Sequence, residues 1–226
     1  MQRPVIEFYN NIAVVRDDLV PGGTKSRFLL PYFKNSEANE FIYATPAEGG
    51  AQVAIAICAY QAAKEATLFV AKRKKRSIYT QQAASYGAKI VEISPGYLNV
   101  VQAKAKQYAE ERGAKLIPFG LQWQEAITAI SNVGKQIDFD PEEVWCACGS
   151  GVLSTALKAA FPKAKIKAVQ VGRDSDLAAY QYDRDFSQKA RTTPPFPSNP
   201  HYDAKAWEIC TANNNRGKVL FWNVAS

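Results

Sequence analysis

The chain has one histidine, His201, so a Ser-His-Asp or histidine-metal mechanism would have to rest on that residue alone. No run of apolar residues approaches the length of a membrane span, and the opening MQRPVIEFYNN has no apolar stretch behind a basic start. A cytoplasmic protein without a membrane partner is therefore expected. Cysteine is sparse too: Cys58, Cys146, Cys148 and Cys210 lie in apolar stretches without CxxC or metal-ligand spacing, and read as reduced, buried thiols with no metal. No Walker ending, full GxGxxG, internal repeat or low-complexity tract is visible.

What is present is a 226-residue chain, 47% hydrophobic, enough for one core or two small lobes sharing a cleft. The net charge of +7 invites a nucleic-acid reading, but much of it is one run, Lys72 to Arg76, directly after an apolar strand pattern, where a solvated loop is expected. Short apolar runs alternate with helical patterns, which predicts an α/β fold with mostly parallel sheets and flanking helices. The predicted strands are 12–16, 40–45, 67–71, 89–93, 115–119, 143–148, 165–171 and 218–224. Helical spacing covers 51–66, 80–88, 99–114, 123–137 and 153–161. Pro194, Pro195, Pro197 and Pro200 exclude a helix or central strand from 191–201.

Three segments carry candidate chemistry. In RDDLVPGGTKSRFL a strand ends near Arg16, a Pro-Gly-Gly turn follows, and Lys25 opens a helical pattern; Gly22 and Gly23 allow a sharp turn and a close backbone approach. In VWCACGSGVLSTAL an apolar strand runs through Gly149-Ser150-Gly151 into a helix from about Val152. That arrangement points backbone N–H groups and a helix dipole at one place, as a phosphate requires, although a plain packing turn has the same local pattern. In HYDAKAWE, Tyr202 and Asp203 stand at the start of a helical pattern, where a packing tyrosine and a capping aspartate are the alternative reading.

Together, in this order, the three segments resemble those of aminocyclopropane-carboxylate deaminases and D-cysteine desulfhydrases, in the tryptophan synthase beta-like (fold-type II) pyridoxal-phosphate superfamily. The middle of the chain, from QVAIAICAYQAAKEATLFVAK through YGAKIVEI to AKLIPFG, is similar to that family's small lobe, so the resemblance covers nearly the whole sequence. It implies one compact two-lobed unit over 1–226, with a small lobe at about 36–119 inserted in a large lobe of 1–35 and 120–226, and a homodimer. It also implies pyridoxal 5'-phosphate held by Lys25 as an aldimine, with the phosphate on Gly149, Ser150, Gly151 and Val152 and Asp203 facing the pyridine nitrogen. Lys25 would then shuttle protons, and Tyr202 would stack on the ring or act as acid or base.

The chain departs from the family pattern in two places. Where a serine and an asparagine are usual ahead of a helix, it reads TPAEGGAQ; Thr45, Gly49, Gly50 and their backbone are the candidate substrate-carboxylate contacts, while Glu48 would repel a carboxylate and suits an amine. The interval between the glycine turn and Tyr202 is short for the family, and the terminal WNVAS places Asn223 and Ser226 where the family is richer in glycine. The expected function is a lyase or deaminase acting on a small amino acid by elimination, deamination or β-replacement. Two alternatives stay open: a cofactor-binding remnant without catalysis, and a basic nucleotide- or nucleic-acid-binding α/β domain; nucleic acid is not the expected partner.

Overall fold

A computed structural model describes residues 2–94, 96–171 and 178–225. In chain order its elements are β1 (Ile6–Tyr9), β2 (Ile12–Arg16), α1 (Ser26–Asn35), β3 (Glu40–Thr45), α2 (Ala51–Gln61), β4 (Glu65–Ala71), α3 (Ile78–Ser85), β5 (Lys89–Ile93) and α4 (Leu98–Arg112). There follow β6 (Lys115–Leu116), α5 (Gln124–Gly134), β7 (Glu143–Cys148), α6 (Val152–Ala160), β8 (Lys165–Gln170), β9 (Tyr180–Gln181), α7 (Asp203–Asn213) and β10 (Val219–Asn223). The chain divides into two compact units, one of Met1–Arg27 with Gln122–Ser226, the other of Phe28–Leu121. Ser226 lies outside the described residues.

The first unit is built on a six-stranded sheet in the order β1-β2-β10-β7-β8-β9, parallel throughout except for the β1–β2 hairpin. Central β10 pairs Val219 with Ile12 and Asn223 with Arg16 on one side, and Trp222 with Cys146 on the other. Every residue of β2, β7 and β10 is buried, as expected of strands covered on both faces. Helix α7 packs on β7, β8 and β10, where Trp145, Ala147, Val169 and Phe221 meet Trp207 and Cys210. The proline-rich segment is neither helix nor strand, and it is pinned to this unit: Phe196 is buried against Trp207, with ring centroids 4.9 Å apart, and Pro197 O accepts from Asn223 Nδ2.

The second unit has a four-stranded parallel sheet, β5-β4-β3-β6. Helix α4 packs on β3, β4 and β6, burying Val101, Ala105 and Ala109 on Ile42, Ala44 and Phe69. Helix α2 is apolar nearly all round and is buried from Gln52 to Ala59. The basic run after β4 is exposed from Lys72 to Arg76, and Arg76 pairs with Glu92 at 3.0 Å.

Several predicted boundaries shift. The helix expected over 51–66 ends at Gln61, because Ala63 takes a left-handed φ of 53° and Glu65 already pairs with Glu40 in the sheet. The strand expected over 115–119 is only Lys115–Leu116; Pro118 has no N–H to continue the ladder, and Gly120 turns the chain at φ 81°. Neither β1 nor β9 was predicted. β1 is joined to β2 by Asn10 and Asn11, both with positive φ (50° and 63°), as a two-residue hairpin of the I′ kind requires.

Candidate active site

Strands β2, β10 and β7 end side by side, and the three segments singled out in the sequence emerge at or beside those ends. The carboxyl ends of parallel strands are where α/β sheets bind ligands, because the loops that leave there diverge to open a crevice and lead into helix N-termini. After β2 the chain turns through Gly22 and Gly23, at φ 81° and 69°, into a short 3-10 turn over Gly23–Lys25 that leads into α1. Gly23 lies so close to the tail of β10 that a Cβ on it would stand 2.2 Å from Val224 O. Thr24 N donates to the same carbonyl at 2.9 Å, and Ser26 Oγ closes the turn on Pro21 O at 2.6 Å.

Lys25 keeps some of its surface accessible, but protein packed about its ammonium desolvates it and pulls its pKa below the usual lysine range; the Asp203 carboxylate opposes that fall in part. Asp203, the first residue of α7, has no exposed surface, and neither carboxylate oxygen has a hydrogen-bond partner among the described residues. Burial pushes this carboxyl up to about 7 against the attraction of Lys25. The backbone amides of Val224 and Ala225 face it without reaching hydrogen-bond geometry and hold it down slightly, while Asp18 pushes it up.

Tyr202 precedes α7 and reaches β7, where its hydroxyl lies 3.4 Å from Ala147 O. A Cβ on Gly149 would meet that hydroxyl at 3.3 Å, so the glycine makes room for the phenol. Burial drives the phenol well above its ordinary pKa, reinforced by Asp203, Cys148 and Cys146, and the Gly149 amide offsets this in part. The Cys146 thiol is likewise driven up, by burial first and then by Cys148 and Asp203. Both cysteines are free and buried, and no cluster able to hold a metal occurs among the described residues.

Gly149-Ser150-Gly151 forms the turn between β7 and α6, with Gly151 at φ 83°. Ser154 and Thr155 both donate their hydroxyls to Gly151 O at 2.9 Å, and Gln122 Nε2 donates to Ser150 O at 2.9 Å. The turn is thereby fixed from behind. Ser150 is exposed, and α6 begins at Val152 without a side-chain cap, so its first N–H groups are available to an anion.

Thr45, Glu48, Gly49 and Gly50 come together in the second unit, in the turn from β3 to α2. Thr45 is buried, and a Cβ on Gly49 would stand 2.6 Å from its Oγ1. Buried Gln52 fastens the turn by donating to Ala47 O and Gly49 O, each at 2.9 Å, and accepts from Thr80 Oγ1. Glu48 is half-buried.

Sequence reasoning did not assign the polar network behind Lys25. Asp17, with no exposed surface, accepts from Thr24 Oγ1, Arg27 Nε, Arg27 Nη2 and Trp222 Nε1. Asp18 accepts from Arg16 and from Asn223 Nδ2. The only local signal is the pair of acids at a strand end, Asp17-Asp18; the partners on β10 are about 205 positions away in sequence.

No family model matches the sequence, and no curated protein matches it. Solved structures do. One described as an aminocyclopropane-carboxylate (ACC) deaminase homologue superposes with a TM-score of 0.83 at 16% identity, over 100% of this chain and 90% of that one. Diaminopropionate ammonia lyase of Escherichia coli gives 0.69 at 13% identity, over 95% of this chain and 77% of that one. Threonine deaminase isoform 2 of Solanum lycopersicum gives 0.62 at 19% identity, over 74% of this chain and 50% of that one. At such identities the likeness is one of fold, and the fold is that of the tryptophan synthase beta-like, fold-type II pyridoxal-phosphate enzymes.

Proposed function

We propose that this chain, on the tryptophan synthase beta-like fold, is a pyridoxal-phosphate-dependent enzyme that acts on a small amino acid by elimination, deamination or β-replacement. The observation that carries the reading is the pairing of a desolvated Lys25 amine with the buried, unpartnered carboxylate of Asp203, beside the glycine turn at 149–151. A buried carboxylate without a donor is costly. A protonated ring nitrogen is the kind of donor it lacks, so the residues present fit this cofactor. When bound, pyridoxal phosphate supplies an electron sink for carbanion chemistry at the amino acid.

The chain's own groups divide the work. Burial leaves Lys25 with more free amine near neutral pH than an ordinary lysine, so Nζ would be the group that holds the cofactor and could carry protons to and from the substrate's carbons. Asp203 holds a proton on the ring nitrogen by its negative charge. The backbone amides of Gly149, Ser150, Gly151 and Val152 bind the phosphate, aided by the Ser150 hydroxyl and the positive end of α6. The raised pKa of Tyr202 keeps its phenol neutral, so it can donate a proton or a hydrogen bond near the ring. Thr45, Gly49 and Gly50 are proposed to meet the substrate carboxylate, with Glu48 opposing that contact and suiting an amine instead.

The test is the absorption spectrum of the purified protein titrated with pyridoxal phosphate, beside Lys25→Ala, followed by a screen of small amino acids for keto-acid release. A visible band lost in the variant, with keto acid from at least one amino acid, is the expected result. A band without turnover of any amino acid would instead favour the cofactor-binding remnant, and no band would remove the cofactor reading.

A further inference from the structure

The tail of β10 ties together parts of the first unit that are far apart in sequence. Trp222 Nε1 donates to Thr24 Oγ1 at 2.9 Å and to Asp17 Oδ2 at 3.2 Å. Asn223 Nδ2 donates to Asp18 Oδ1 at 2.7 Å and Pro197 O at 2.8 Å. Val224 O accepts from Thr24 N at 2.9 Å, Ala225 O accepts from Asn199 N at 2.9 Å, and the Val224 and Ala225 amides face Asp203. The turn carrying Lys25 and the helix start carrying Asp203 therefore register on the same four residues, 222–225.

Asp17 locks the first of these. Its carboxylate accepts from Thr24 Oγ1 at 2.7 Å, Arg27 Nε at 2.9 Å and Arg27 Nη2 at 2.5 Å, as well as from Trp222. Thr24 directly precedes Lys25, and Arg27 follows two residues later, so the bonds bracket the lysine on both sides. Among the described residues Asp17 makes no hydrogen bond to Lys25 or Asp203. A rotation of the Lys25 turn would break charged hydrogen bonds between groups that are all buried.

We propose that Asp17 is a positioning residue for Lys25: through Thr24, Arg27 and Trp222 it fixes the turn from which the Lys25 amine is presented to Asp203. The purpose of this arrangement rests on the cofactor reading; the arrangement itself belongs to the chain alone. Asp203 faces the amine, and Asp18, Tyr202 and Cys146 surround Asp203.

Two labels read the Lys25 amine separately. Competitive acetylation with acetic anhydride, resolved by peptide mapping, follows its pH profile with no cofactor present; pyridoxal phosphate with borohydride follows its reaction with the aldehyde. Both are applied to wild type, Asp17→Asn, Trp222→Phe and the conservative Thr24→Ser, with circular dichroism to establish folding. Asp17→Asn strands the buried Arg27 charge, so Trp222→Phe, which removes one N–H donor, carries the test if the first variant does not fold. In wild type the acetylation midpoint of Lys25 is expected below that of the exposed lysines. In folded Trp222→Phe it moves toward them by about one pH unit, a tenfold change in free amine at fixed pH. Aldehyde labelling slows about tenfold in parallel, and Thr24→Ser keeps the wild-type profile. A folded Trp222→Phe with wild-type acetylation and labelling overturns the proposal and leaves the cluster a role in stability alone. If wild-type Lys25 takes no pyridoxal label but its acetylation profile still shifts in Trp222→Phe, the cofactor reading fails and the positioning stands.

Discussion

Replacing Gly23 by alanine would place a Cβ 2.2 Å from Val224 O and 2.9 Å from Ala225 Cβ, at a φ of 69°. Two costs add. The left-handed backbone costs an alanine about 1–2 kcal/mol, and overlap with a backbone carbonyl that is already accepting from Thr24 costs about 1–3 kcal/mol more, since a packed interior yields little. The sum is about 2–5 kcal/mol, a large part of the roughly 5–15 kcal/mol that holds a typical domain folded. Gly87→Ala isolates the first cost, because Gly87 has φ 85° and a Cβ there would meet nothing within 4 Å. It should lose only about 1–2 kcal/mol. Urea unfolding supplies the numbers. All four tryptophans, Trp123, Trp145, Trp207 and Trp222, belong to the first unit, so their fluorescence reports on the unit that holds Gly23, and circular dichroism reports on the whole chain. Coincident transitions by the two probes license a single free energy. With unchanged urea slopes, the midpoint of Gly23→Ala should fall further than that of Gly87→Ala. Equal losses would refute the close packing of the Lys25 turn on the β10 tail.

Three further outcomes follow from the same geometry. Because the Asp203 pKa is raised in the folded protein, to about 7 from an ordinary 3.8, folding binds a proton there between those values; the cost of the buried carboxylate is absent below about pH 4 and grows as pH rises to about 7. Without cofactor, Asp203→Asn should therefore gain stability relative to wild type over that window in urea titrations, and a constant difference would show that the carboxyl is not shifted. Glu48→Asn removes a negative charge from the 45–50 turn and should lower KM for an amino acid several-fold, on the order of 1 kcal/mol; unchanged kinetic constants for every amino acid would mean that Glu48 takes no part in substrate choice. Phe221→Ala deletes a ring with no exposed surface, 5.1 Å from Trp207 in an edge-to-face contact, and should cost about 3–5 kcal/mol by urea unfolding; a loss below about 1 kcal/mol would contradict the packing of α7 on the sheet.

The sheets were legible wherever burial alone decided the pattern. The runs at 12–16, 40–45 and 143–148 are β2, β3 and β7 residue for residue, because strands buried along nearly their whole length are written as apolar stretches; 89–93 is β5 residue for residue as well, although that strand is only half-buried. Prediction failed where pairing overrode propensity. Ala62 and Ala63 favour helix, yet the chain turns at Ala63 so that β4 can begin at Glu65 beside β3. It failed again at the sheet edge: β1 is a four-residue strand whose residues are half-buried or exposed, and it carries no apolar run.

The site divides in the same way. Lys25, Gly149 to Val152 and Asp203 could be singled out because glycine before a helix and an acid at a helix start leave local marks. That Asp203 is buried without a partner, and that it faces Lys25 across 178 positions of sequence, depends on the parallel pairing of β2 with β10 and the packing of α7 on the sheet, which no local pattern encodes. The Asp17 network is hidden for the same reason. Trp222 reads in sequence only as an apolar strand residue, while its indole N–H holds the turn of a lysine at the other end of the chain.

The proposed function requires that Lys25, and no other lysine, form the covalent link to pyridoxal phosphate. Borohydride reduction of the protein mixed with a stoichiometric amount of the cofactor, followed by peptide mass mapping, tests it most directly. One modified peptide, spanning Lys25, is expected, with loss of that label in Lys25→Ala. Label spread over the exposed lysines of the 72–76 run, with Lys25 unmodified, would contradict it.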